Sequence, residues 1–172
     1  MTLQSRTSVA LLRILLETHY GVKPEYVDGS IIESGDDACL LIGDMALEEN
    51  EKCRFPFSYD LGTLWQDWQG LPFVFGAWII AKEAMSRELG PTLEQYMEAT
   101  ERSIEVFGKN ISAALDAWLA KYPVSLPRKV MVDYYRVLDY RFTDERKESL
   151  ALFLDLAARM GLCEHVHGLE YL

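Results

Sequence analysis

The sequence predicts an α/β protein with a helical second half, and three observations predict it. Residues 37–42 and 73–81 are short apolar runs rich in aliphatic and aromatic side chains and bounded by Asp, Gly or Pro, the pattern of buried strands. Short segments with recognisable helix caps lie around these runs. From Lys82 onward every apolar pattern has helical spacing.

Taken in order, residues 5–19 read as a helix. Leu12, Leu15, Leu16 and His19 fall on one face, Ser5 and Thr7 are candidate N-caps, and Gly21 is the stop signal. Residues 24–28 are extended, with a turn at Asp28-Gly29. Residues 37–42 form a short buried strand. Asp44 is the expected cap of a helix running to about Glu49, and residues 50–57 are a polar connection containing Pro56. Asp60 caps a helix over residues 61–69, ended by Gly70 and Pro72. Residues 73–81, Phe-Val-Phe-Gly-Ala-Trp-Ile-Ile-Ala, are apolar on both faces, which predicts a strand at the centre of a sheet flanked by helices. Pro91 opens a helix to about Lys121, either continuous or broken at Gly108. Residues 127–138 and 143–160 are further helices. The last has Thr143 as cap, Asp144 and Glu145 at its positive end, an apolar stripe of Leu150, Phe153, Leu154, Ala157 and Met160, and Gly161 as terminator. The helical half has apolar faces but supplies no sheet to cover.

Composition limits the function classes. The chain has 172 residues, 49% of them hydrophobic and 26% charged, which is globular rather than disordered. Its formal net charge of −10 repels phosphate backbones and anionic bilayers, so neither nucleic acid nor a membrane surface is an expected partner. An anionic ligand would need local positive potential, such as a helix N-terminus or a well-placed Arg. Cys39, Cys53 and Cys163 are odd in number and form no C-x-x-C pair, which predicts free thiols and a cytoplasmic setting. The first ten residues lack a signal-peptide pattern, and the apolar run 71–81 is shorter than the ~20 residues a spanning helix needs.

Two motifs carry candidate chemistry. Ser5-Arg6-Thr7-Ser8 gathers hydroxyls, unpaired amides and a guanidinium at a helix start, which suits a carboxylate. Simple capping explains the same residues. At residues 41–47, Leu-Ile-Gly-Asp-Met-Ala-Leu, a predicted strand ends and a helix begins, the position where α/β sheets line a ligand crevice. There Gly43 would admit a ligand to the backbone and Asp44 could bind a hydroxyl or move a proton. An N-cap is again the alternative. Trp65 and Trp68 share a helical face and read as core, as does Trp78 in its strand. His165 and His167 lack the ligand cluster of a metal site, and the acidic run 48–51 reads as surface.

The order and wording of four segments resemble the chorismate dehydratase family. They are Ser-Arg-Thr-Ser-Val-Ala-Leu-Leu from Ser5, Leu-Leu-Ile-Gly-Asp-Met-Ala-Leu from Leu40, Tyr-Asp-Leu-Gly-x-x-Trp from Tyr59, and Gly-Leu-Pro-Phe-Val-Phe-Gly-Ala-Trp from Gly70. The likeness continues through Tyr134-Tyr135 and Phe153 to Gly161-Leu162. It implies a two-lobed fold like the type 2 periplasmic binding proteins, incomplete here at its N-terminus. Residues 1–81 would form most of the second lobe, and residues 82–172 a helical return segment packing on the first. It also implies a hydro-lyase of the futalosine route to menaquinone that turns chorismate into 3-[(1-carboxyvinyl)oxy]benzoate. Ser5, Arg6, Thr7, Ser8 and Gly43 would bind the anionic substrate, and Asp44 is the candidate catalytic group. No metal or organic cofactor is implied, and the oligomeric state is open. The related dihydroxynaphthoate synthases carry a His-Glu pair where this chain has Gly43-Asp44, which favours the dehydratase. Family members begin with a further segment that supplies part of the site, so the expectation is that this chain alone does not turn over chorismate. The alternative reading is a non-catalytic module of the solute-binding type that captures a small carboxylic acid.

Overall fold

The computed structural model describes residues 5–29, 35–81, 90–166 and 168–171. The elements are α1 (Arg6–Ile14), continued by a π-helical turn (Leu15–His19), α2 (Gly43–Lys52), α3 (Leu61–Gln69), α4 (Gly90–Lys109), α5 (Ile111–Leu119), α6 (Arg128–Val137) and α7 (Asp144–Arg159). The chain divides into two compact units, Met1–Gly76 with Phe142–Leu172, and Ala77–Arg141.

Most local signals act where the sequence places them. The Ser5 side chain caps α1. The Asp60 carboxylate accepts from the Thr63 amide at 2.7 Å and so caps α3. Gly70 closes α3 at φ +72°, in the left-handed region a glycine enters at little cost. Thr143 stands at the N-cap position of α7 but makes no side-chain capping bond, and Asp144 and Glu145 lie in its first turn. Some details differ: α2 runs to Lys52, into the stretch expected to be a polar connection. The break between α4 and α5 falls at Asn110 rather than Gly108, because the Asn110 side-chain oxygen accepts from the Ala113 amide at 3.2 Å and restarts the helix. The first helix widens after Ile14 into a π turn, where the Tyr20 amide donates to the Leu15 carbonyl at 3.0 Å.

The two predicted strands do not form: among the described residues no β-strand is present. Residues 38–42 and 72–81 have no regular secondary structure. Trp78 and Ile79, expected in a sheet centre, are 82% and 90% exposed. The physical reason is pairing. A strand's amides and carbonyls are satisfied by a neighbour about 4.8 Å away, and no described segment offers one. Only the start of the second run is packed: Phe73 lies against the core and Val74 is buried.

The first unit is built on α1, α3 and α7. Leu11, Ile14, Leu15, Trp65, Phe153 and Ala157 form its centre, with Leu61, Leu64, Trp68, Phe73, Leu154 and Met160 packed around them. Trp65 is fully buried and meets Phe73 and Phe153 edge to face, with ring centroids 5.4 and 6.2 Å apart. Such pairs add about 0.5–1.5 kcal/mol each beyond burial. Its indole N–H donates to the Ser149 hydroxyl at 3.0 Å, and Ser149 is itself fully buried. The π turn extends the packing surface: His19 stacks on Trp68 at 4.8 Å, and the Thr18 hydroxyl donates to Met160 Sδ at 3.5 Å.

The second unit is lighter. Among its described residues Leu115, Leu126, Met131 and Val132 are the buried apolar ones. Phe107 and Tyr135 meet edge to face at 5.4 Å. Arg128 clasps Asp116 with bonds of 2.6 and 2.9 Å, joining α5 to α6. The three cysteines are exposed free thiols.

Candidate functional site

The Ser5–Ser8 cluster sits at the N-terminus of α1, held in place by a helix whose other end is anchored in the core through Leu11, Ile14 and Leu15. Ser5 has extended backbone, φ −142° and ψ 102°, as an N-cap requires. Its Oγ accepts from the Ser8 amide at 3.2 Å and donates to Ser8 Oγ at 2.9 Å. The Val9 amide donates to the Ser5 carbonyl at 3.2 Å. These bonds occupy Ser5 and draw Ser8 inward, where it is 7% exposed. Thr7 remains half-buried, and Arg6 is exposed. The first amides of a helix have no partner within it. Among the described residues no acceptor is bonded to the amides of Arg6 and Thr7. No acidic side chain stands in the first turn to neutralise the positive end of the helix. The first turn of α1 thus carries the half-buried Thr7 and the exposed Arg6, on a chain of net charge −10.

Gly43 and Asp44 lie elsewhere in the pattern of packing. Gly43 is the first residue of α2 and has φ +61°, a conformation that favours glycine. Asp44 stands in the first turn, where a carboxylate complements the helix dipole, but the N-cap position belongs to Ile42, so Asp44 is not the cap. Both residues are exposed, and α2 has no buried residue. Among the described residues no hydrogen bond or ion pair joins Gly43 or Asp44 to residues 5–8.

No group of three or more His, Cys, Asp or Glu residues suitable for a metal occurs among the described residues. His167 lies outside them. His165 lines a hollow of about 350 Å³ against α7, together with Leu154, Asp155 and Tyr171. No described helix is long and apolar enough to cross a membrane.

Sequence reasoning missed the Trp65–Ser149 hydrogen bond. A signal was present: Ser149, Phe153 and Ala157 recur every four residues, so the hydroxyl stands on the buried stripe of α7 and needs an internal partner. The His19–Trp68 stack had no comparable signal, since it depends on the π turn.

The chain belongs to the menaquinone biosynthesis family, whose model matches residues 1–159. A chorismate dehydratase of Thermus thermophilus is similar to it at 36% identity. That match covers 48% of this chain and 37% of the relative, so the matched part is little more than a third of the relative's length.

Proposed function

We propose that this member of the menaquinone biosynthesis family serves chorismate dehydration, and that the start of α1 holds a carboxylate of the substrate. The likeness to a chorismate dehydratase is the observation that carries this reading. The chemistry of the α1 terminus supports it. Chorismate has two carboxylates, and a charged acceptor gains most from donors that are already oriented and unpaired. Among the described residues the amides of Arg6 and Thr7 meet no acceptor, Thr7 adds a hydroxyl in the same turn, and Arg6 is able to add a bidentate contact. Ser5 and Ser8 hold that geometry through their mutual hydrogen bonds. In the reaction the ring C3–H bond breaks and the C4 hydroxyl departs. The proton and hydroxide together make water, and the ring becomes aromatic as 3-[(1-carboxyvinyl)oxy]benzoate. Within this reading Gly43 gives backbone access and Asp44 is the candidate for moving the proton. The cytoplasmic setting rests on the cysteine pattern and the resemblance, the two-lobed solute-binding type of fold on the resemblance, and no metal or organic cofactor is invoked.

The test begins with chorismate and the 172-residue chain, measuring binding by calorimetry and product by chromatography. Binding is expected, and Thr7→Ala is expected to weaken it about 10–100-fold, the loss of one hydrogen bond to a charged group. No binding at millimolar chorismate by this chain and by a longer form containing it overturns the substrate reading. Binding that Thr7→Ala leaves unchanged overturns the placement of the carboxylate. Chorismate held intact by this chain and by a longer form containing it would favour the binding-module alternative over the lyase.

A further inference from the structure

We draw no further inference here: the strongest candidate, the exposed apolar patch of Trp78 and Ile79 with Trp78 set edge to face against Tyr96, carries nothing because nothing in the structure shows what covers it.

Discussion

Replacing Ser149 with Ala tests whether the centre of the first unit is fastened as its geometry implies. Trp65 and Ser149 are both fully buried, and the indole N–H donates to Ser149 Oγ at 3.0 Å. Removing the hydroxyl leaves that N–H without a partner and out of reach of water, at a cost of about 1–3 kcal/mol. Alanine is the better helix former, by roughly 0.5 kcal/mol, and α7 recovers that much. The net loss is therefore about 0.5–2.5 kcal/mol. With a urea dependence of roughly 1–3 kcal/mol per molar, a mid-range loss moves the unfolding midpoint down by about 0.5–1.5 M. Far-UV circular dichroism is the suitable probe, because it does not depend on the indole that the companion variant removes. That companion is Trp65→Phe, which deletes the donor and some core volume together. If the hydrogen bond is real, the double variant loses less than the sum of the two single losses, since Ser149→Ala has no orphaned N–H to create once the indole is gone. A Ser149→Ala midpoint equal to that of the parent, or strict additivity in the cycle, would refute the reasoning.

Trp78→Ser is expected to change stability by less than about 0.5 kcal/mol, because the ring is 82% exposed, whereas a Trp at a sheet centre would cost about 3–5 kcal/mol. The same urea titration decides between these values. Gly161 ends α7 at φ +68° with open space where a Cβ would stand, so Gly161→Ala should cost about 1 kcal/mol through backbone conformation alone, and Gly161→Asn less. An equal loss for both would point to a steric cause instead. In the second unit, hydrogen bonding from Arg128 holds the Asp116 carboxyl below the usual carboxylate range. A depressed folded-state value means the contribution is present above the ordinary carboxylate pKa of about 4 and is lost as pH falls through the lowered value. Both side chains are about half exposed, so the effect is small and salt-sensitive. Asp116→Asn should flatten the acid limb of thermal stability measured between about pH 5 and 2, and an unchanged limb would remove the ion pair from the account.

The division between what was legible and what was not follows the range of the forces. Ser5, Asp60, Gly70 and Gly161 act within a few residues of themselves, and each performs the cap or stop its type predicts. The stripe of α7 is equally local, and Phe153 and Ala157 are buried as its spacing requires. Gly108 and Asn110 are both residue types that interrupt helices, and only the side-chain bond to Ala113 distinguishes them. At the candidate site, the sequence showed which residue types meet at the start of α1. It did not show that Ser5 and Ser8 engage each other.

The sequence by itself determined the helices, most of their caps and stops, the acidic charge, and the hydroxyl-rich turn that opens α1, because each depends on neighbours along the chain. Tertiary structure alone decided that Trp65 reaches across to Ser149, that His19 lies on Trp68, and that residues 73–81 run without a ladder. An apolar run carries the propensity for a strand, but a strand exists only where a second backbone pairs with its amides and carbonyls, and that partner is supplied through space, not by the run itself.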